Sequence, residues 1–132
     1  MVKRYGFGKD EKLKSRKSIE ELFSKGKSFT LAPIRVSYKF SKSADLPALL
    51  AGVTASKKNF KKAVDRNRIK RLLREAYRLQ KNDLRELTIA KGLTGHVFFM
   101  YNGKEIPELP VLLESMNKCL VRLQKIANEN YS

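Results

Sequence analysis

Residues 61–78 read KKAVDRNRIKRLLREAYR, and this stretch decides how the 132-residue chain is organised. Drawn as a helix at about 100° per residue, it separates two faces. One arc is apolar and consists of Ile69, Leu72, Leu73, Ala76 and Leu79. The opposite arc is polar and consists of Asn67, Lys70, Arg71, Arg74, Tyr77 and Arg78, with Arg66 and Arg68 on its rims. The pattern predicts an amphipathic helix with one face in a core and the other turned to an anionic partner.

The charge around this helix is denser than solubility requires. Residues 57–78 contain ten Lys or Arg and only two acids, Asp65 and Glu75. Like-charged neighbours such as Lys70 and Arg74 repel by about 0.2–0.5 kcal/mol per pair, whereas a solvated face usually interleaves acids with bases. A polyanion that neutralises the cluster therefore explains it better than solvation does.

The residue types on the polar arc favour a nucleic acid as that partner. An arginine guanidinium pairs bidentately with phosphate and stacks on bases, which a lysine ammonium does not. Asn67 offers a donor and an acceptor to a base edge, a ribose hydroxyl or a backbone carbonyl, and Tyr77 offers a stacking plane. The combination suits RNA at least as well as a DNA groove, and an anionic membrane surface is the main competitor.

The composition is that of one folded, basic domain. The chain has 29 Lys and Arg against 13 Asp and Glu, a formal net charge of +16, and 42% hydrophobic residues. We expect a single nucleic-acid-binding domain over 1–132, with residues 1–12 as a flexible basic arm. Because no run reaches the roughly 18 apolar residues of a membrane span and no secretory signal is visible, we expect a cytoplasmic protein. The lone Cys119 and lone His96 argue against a zinc site.

Helix signals stand at both ends of the chain. Ser18 and Glu21 have the spacing of a capping box ahead of a short helix that ends at Gly26. A closing amphipathic helix starts at Leu109. Residues 81–95 are compatible with either a short helix or a strand edge.

Strand signals lie between these helices. Apolar and polar residues alternate over 33–42, and 49–56 predicts a second strand that pairs with the first as a hairpin. Residues 95–101 are apolar on both faces and predict a strand internal to a sheet. The order of elements predicts an α+β fold, a single-domain α/β sandwich with a small sheet of about four strands and about three helices.

The arginine-asparagine-arginine core and its flanks are specific to one family. RNRIKRLLRE at 66–75, after KKAV at 61–64 and GVTASKK at 52–58, closely resembles the signature of the bacterial ribonuclease P protein subunit. Supporting similarity covers about residues 12–126 and includes Leu13, Phe23, Gly26 and Tyr38. The resemblance implies parallel strands joined by a left-handed crossover that contains the basic helix, although general connection rules favour a right-handed one.

The same resemblance implies a partner and a division of labour. The chain would bind a large catalytic RNA, and the ribonucleoprotein would remove 5′ leaders from precursor tRNA. Hydrolysis would use Mg²⁺ held on the RNA, so that the protein itself would contribute no catalytic residue, metal ligand or cofactor. Independently of the resemblance, we expect the protein alone to be monomeric and to bind no membrane.

Site residues follow from the resemblance by position. The RNA subunit would contact Lys57, Lys58, Lys61, Lys62, Arg66, Asn67, Arg68, Lys70, Arg71, Arg74 and Arg78. A cleft for the single-stranded leader would be lined by Ile19, Phe23, Val36 and Tyr38. Ile19 departs from the family pattern, which often places a second aromatic there, so stacking of about 1–3 kcal/mol per base is lost at that position.

Other functions stay compatible with the charge and the helix alone. A nuclease in its own right needs clustered metal-binding carboxylates or a histidine acid/base pair, and the 13 acids and single histidine show no such spacing. A structural RNA-binding protein of ribosomal type, without a processing role, is an alternative. A DNA binder with the basic helix in the major groove is another.

Overall fold

A four-stranded mixed sheet forms the centre of the computed structural model, which describes residues 11–42 and 47–130. The elements follow the chain as α1 (Arg16–Lys25), β1 (Lys27–Leu31), β2 (Ile34–Lys42), β3 (Ala48–Ala55), α2 (Ala63–Gln80), α3 (Asn82–Ala90), β4 (Leu93–Tyr101) and α4 (Leu109–Asn130). The predicted α+β sandwich with about four strands is confirmed. The described part of the chain has four helices instead of about three, because the ambiguous segment 81–95 contains α3.

The strands lie in the order β1-β2-β4-β3 across the sheet. β1 and β2 form an antiparallel hairpin, β4 is antiparallel to β2, and β4 is parallel to β3. The predicted hairpin between 33–42 and 49–56 is therefore wrong, because β4 lies between those two strands. The internal position predicted for β4 is confirmed.

The parallel strands β3 and β4 are connected through α2 and α3. Parallel neighbours cannot be joined by a tight turn and need a crossover of a dozen or more residues. The basic helix is therefore part of the crossover and begins just beyond the end of β3. The left-handed sense implied by the resemblance stays a prediction.

Alternation along the strands gives the sheet a core face. Val36 of β2 and Val97 and Phe99 of β4 are buried on it, in one cluster with Leu73 of α2 and Met116 of α4. Burying a side chain of this size stabilises the fold by about 1.5–3 kcal/mol. The core therefore fixes α2 and α4 against the sheet, and α2 presents its other side to solvent.

The opposite face of the sheet, which we call the open face, is only partly covered. Its residues on the two central strands are Arg35, Ser37 and Lys39 of β2 and His96, Phe98 and Met100 of β4. Helix α1 lies over this face, where the ammonium of Lys39 donates to Oε1 of Glu21 at 2.9 Å. A cleft is left beside α1.

Helix α2 is turned about its axis relative to the prediction. Its buried residues are Ile69, Leu73, Ala76 and Tyr77, whereas Leu79 is 40% exposed. The ring of Tyr77 packs on Phe99, with centroids 5.5 Å apart, and burial raises the pKa of its hydroxyl. Tyr77 is therefore a core residue, and its predicted role as a stacking plane on the polar arc is wrong.

Helix α1 starts earlier than predicted. Its N-cap is Ser15, whose hydroxyl oxygen accepts a hydrogen bond from the Ser18 backbone amide at 3.3 Å. Because Ser18 lies inside the helix, Glu21 does not complete a capping box with it, and its carboxylate accepts a hydrogen bond from Lys39 instead. The predicted end at Gly26 is confirmed, and a side chain at Gly26 would collide with the Leu22 carbonyl.

The junction of α2 and α3 contains a buried ion pair. Lys81 is fully buried and donates to Oε1 of Glu11, which is 3% exposed, and Nε of Arg85 lies 3.6 Å from the same oxygen. A buried ammonium needs such a partner, since desolvation of an unpaired charge is costly. The segment before α1 is thus tied to the far end of the basic helix.

The predicted flexible arm over 1–12 is consequently wrong at its end. Lys12 forms a parallel bridge with Ala51 of β3, and the Leu13 amide donates to the Ala51 carbonyl at 2.9 Å. Residues 1–10 lie outside the described residues. In the ranges that are described, no helix is long and apolar enough to cross a membrane.

Candidate nucleic-acid interface

The solvent side of α2 carries a stripe of basic and polar side chains. Asn67, Arg68, Arg71 and Arg74 are all exposed, and Lys70 is half-buried beside them. Helical spacing places this stripe opposite the buried Ile69 and Leu73, as the sequence predicted. Within the described ranges, no ion pair engages any of the three arginines, so their guanidinium groups are available to an anionic ligand.

Two other predicted contact residues of α2 are engaged within the protein. Nη1 of Arg66 donates to the carbonyl oxygens of Phe60 and Lys61, both at 2.8 Å. Nε of Arg78 donates to Glu75 at 3.1 Å, and this hydrogen bond lowers the pKa of the Glu75 carboxyl. Arg78 is therefore partly neutralised at the end of the stripe, and Arg66 supports the loop before the helix.

The four predicted lysines before α2 are displayed at the edge of the sheet. Lys57, Lys58, Lys61 and Lys62 lie between the end of β3 and the start of α2, and all four are exposed. They adjoin the arginine stripe at its N-terminal end. The structure thus brings the loop and the helix together as one cationic surface.

A cleft opens beside α1 on the open face of the sheet. Phe23 of α1 is 52% exposed, and its ring stands edge-on to Phe98 of β4, with centroids 5.4 Å apart and planes at 73°. Arg35, Ser37 and Met100 line the same cavity of about 300 Å³. The cleft therefore combines two aromatic rings with a cation and a hydroxyl.

A second cavity of about 430 Å³ continues the cleft towards α2. It shares Phe98 with the first and is lined also by Ile19, Gly52, Arg74, Lys12 and Lys14. Gly52 is paired in register with Phe98, and a Cβ at Gly52 would lie 2.5 Å from the ring of Phe98. The absence of a side chain at Gly52 is what gives this ring room over β3.

Two of the four predicted cleft residues are on the wrong side of the sheet. Val36 is fully buried in the core, and Tyr38 is half-buried between the rings of Phe29 and Phe40 at 5.8 and 6.2 Å. Both share the core face, because residues two apart on a strand point the same way. Phe23 and Ile19 do line the cleft cavities.

Phe98 was not predicted for the cleft, although the sequence contains a signal for it. Its neighbours Val97 and Phe99 are apolar, and alternation must send Phe98 to the opposite face from both. The residues 97–99 were interpreted only as an internal strand. Lys12 was not predicted for the cleft because it falls in the predicted flexible arm over 1–12, and Lys14, just after that arm, was given no role.

Titratable groups near the cleft are part of the packing of α1. His96 lies half-buried on the open face, opposite Lys39 in the strand register. Burial lowers the pKa of its imidazole, and the nearby Lys39 lowers it further.

Burial also raises the pKa of the Cys119 thiol in α4 to about 12. Among the residues described, no three His, Cys, Asp or Glu side chains are grouped to hold a metal ion.

Comparison with known proteins gives one consistent family. The family model described as Ribonuclease P matches residues 7–124. The Ribonuclease P protein component of Porphyromonas gingivalis W83 is 35% identical over 119 residues, covering 90% of this chain and 87% of that protein. The protein of the same name from Chlorobium phaeobacteroides is 32% identical over 130 residues and covers 89% of each chain.

Solved structures agree at the level of the fold. The RNase P protein of Staphylococcus aureus superposes with a TM-score of 0.66 at 18% identity, covering 89% of this chain and 98% of that one. The RNase P protein of Thermotoga maritima gives a TM-score of 0.63 at 22% identity, with coverages of 85% and 96%. The family model and the relatives that share sequence with this chain give no support to the ribosomal-type alternative.

Proposed function

The chain belongs to the ribonuclease P protein family and is a component of that ribonuclease, and we propose that it binds the RNA subunit through the solvent side of α2. The observation that carries this proposal is the stripe of Arg68, Arg71 and Arg74, exposed and without an acidic partner in the described structure. Like-charged neighbours on one helix face destabilise the free protein. Phosphates that approach the stripe would remove that repulsion.

We propose further that the enzyme acts on precursor tRNA and that the cleft receives its single-stranded 5′ leader. Exposed aromatic rings stack on bases regardless of sequence, at about 1–3 kcal/mol per base. Phe23 and Phe98 offer such rings, and Arg35 and Lys14 offer cations for phosphates beside them. Phe98 thereby supplies the second ring that Ile19 does not.

The catalytic centre is proposed to lie in the RNA subunit, with Mg²⁺ held there, as the resemblance implies. The side chains of this chain would then act by binding and by orientation. An exposed arginine stripe fixes the protein on the RNA, and a cleft on the other face of the sheet holds the leader. The protein alone is proposed to be a cytoplasmic monomer.

A processing assay tests the proposal. Purified protein is mixed with the ribonuclease P RNA of the same organism and with precursor tRNA at low Mg²⁺, and release of the 5′ leader is followed. We expect faster processing than with the RNA alone, because neutralised phosphates reduce the need for free cations. A protein with Lys125→Ala, an exposed charge on α4, serves as the matched control and should stimulate normally. Equal rates with and without the protein would contradict the proposal.

A further inference from the structure

The loop between β3 and α2 is rich in lysine, and repulsion between these charges should favour an extended, disordered loop. Residues 57–62, which we name the lysine loop, carry four exposed lysines among six positions. Like charges this close repel, and a free loop would separate them. The loop is instead fastened to the fold from two sides.

Arg66 holds the lysine loop from α2. Its Nη1 donates to two successive backbone carbonyls of the loop, those of Phe60 and Lys61. Hydrogen bonds from a charged donor are about twice as strong as neutral ones. The N-cap residue Lys62 makes no side-chain hydrogen bond to the helix, so Arg66 supplies the side-chain restraint found at this helix start.

Asn59 holds the lysine loop from the sheet. Its Nδ2 donates to the carbonyls of Asn102 at 2.9 Å and Gly103 at 3.3 Å, just after β4. Next to it, Phe60 is buried against Tyr101, with ring centroids 6.0 Å apart. The loop is therefore fixed by two side chains of its own, Asn59 and Phe60, and by Arg66 of α2.

The hydrogen bonds of Asn59 also place a fifth lysine, Lys104, at this end of the sheet. Lys104 is exposed and directly follows Gly103, whose carbonyl Asn59 binds. Its segment is fixed as well, because the Tyr101 hydroxyl donates to the Glu105 carbonyl at 2.7 Å. A side chain at Gly103 would collide with that hydroxyl. Since β3 and β4 are parallel and end together, the lysine loop and Lys104 occupy the same edge.

We propose that the lysine loop and Lys104 form a preformed surface for RNA phosphates, and that Arg66 and Asn59 are positioning residues that hold it without contacting the RNA. The inference rests on the proposed function. It also changes the role of Arg66, which the family resemblance implied to be a direct RNA contact. A loop that is ordered before binding loses less entropy on binding, which raises affinity.

The test compares Arg66→Gln and Asn59→Ala with Arg68→Gln from the exposed stripe. Binding to the transcribed ribonuclease P RNA is measured over a series of salt concentrations, and amide hydrogen exchange of 57–62 is measured in the free protein. We expect both positioning variants to bind about three- to tenfold more weakly, to exchange faster, and to keep the wild-type salt slope. Arg68→Gln should lower the slope by about 0.7–0.9 and leave the exchange unchanged. Lys104→Ala should lower the slope by a similar amount.

Several results would overturn the proposal. If Arg66→Gln lowered the salt slope as much as Arg68→Gln and left the hydrogen exchange of 57–62 unchanged, Arg66 would be a phosphate contact and the proposal would fail. Asn59→Ala removes no charge, so normal affinity and normal exchange in this variant would overturn the proposal even if Arg66→Gln failed to fold. If Arg68→Gln also bound the RNA with normal affinity and a normal salt slope, the proposed RNA-binding role of α2 itself would be wrong.

Discussion

The rings of Phe23 and Phe98 meet edge to face, with centroids 5.4 Å apart, and join α1 to β4 at the mouth of the cleft. This arrangement leaves part of each ring open, and Phe23 is more than half exposed. Aromatic pairs of this geometry contribute about 0.5–1.5 kcal/mol beyond the burial of their area. The pair therefore stabilises the packing of α1 on the sheet and also offers a surface on which a base can stack.

Replacing Phe98 by leucine should weaken the recognition of leaders. The substitution keeps an apolar side chain over Gly52 and removes the ring, so we expect the KM for a precursor tRNA with a leader to rise several-fold to about a hundredfold. Steady-state processing by the holoenzyme measures this, with a leaderless substrate alongside. Phe29→Leu, an aromatic change on the other side of the sheet, is the control. Equal effects on both substrates would show that Phe98 acts only in packing.

Removing Arg71 should reduce the electrostatic part of RNA binding. Arg71 is exposed and unpaired in the described structure, so Arg71→Ala is expected to lower the slope of log affinity against log salt by about 0.7–0.9. Filter binding or fluorescence titration at several salt concentrations measures the slope. Lys125→Ala removes the same charge from α4 and should leave it unchanged. A slope equal to that of the wild type in Arg71→Ala would place this side of α2 outside the interface.

Neutralising Glu11 should destabilise the whole domain. Glu11→Gln keeps the shape of the side chain but leaves the buried Lys81 without its carboxylate, which costs about 3–5 kcal/mol of unfolding free energy. Urea unfolding followed by circular dichroism measures the change. Glu108→Gln, at an exposed acid, should change stability by less than about 0.5 kcal/mol. A Glu11→Gln protein as stable as this control would show that Lys81 does not depend on the pair.

Stability should fall as the medium becomes acidic, in part because of His96. Burial places the pKa of His96 in the folded protein below its ordinary value of 6.5, so the folded state binds the proton less readily than the unfolded state. The contribution of neutral His96 to the free energy of unfolding is complete above pH 6.5 and is lost as the pH falls through the pKa of His96 in the folded protein. Unfolding in urea between pH 7.5 and 5.5 measures it, in a range above the ordinary pKa of 4.5 of Glu21. His96→Gln should flatten this dependence, and an unchanged dependence would assign it to other groups.

The features that depend on local patterns could be predicted from the sequence. Ile69 and Leu73 recur at helical spacing, and their burial fixes which arginines of α2 face solvent. Tyr77 was misplaced because it lies on the border between the two arcs, where a ring that finds Phe99 is buried and an aliphatic Leu79 is left exposed. Periodicity gives the faces of a helix but not the position of the border between them.

Features that depend on partners distant in the chain could not be predicted. The pairing of β4 with both β2 and β3 follows from tertiary packing, so two neighbouring strands in the sequence were wrongly paired with each other. Glu11 has no local signal that its carboxylate belongs to Lys81. Val36 and Tyr38 were transferred from a family pattern, and the alternation of β2 with its buried Ile34 already contradicted their place in a cleft.

The ion pair of Glu11 and Lys81 also sets a limit on how far the chain can be shortened from its beginning. The two residues are 70 positions apart, yet each is the neighbour that the other needs in the interior. A version of the protein that begins after Glu11 would keep every element from α1 to α4 and still lose the counter-ion of a lysine at the junction of α2 and α3. For protein engineering, a chain that begins at the first helix is therefore expected to be less stable than one that retains Glu11.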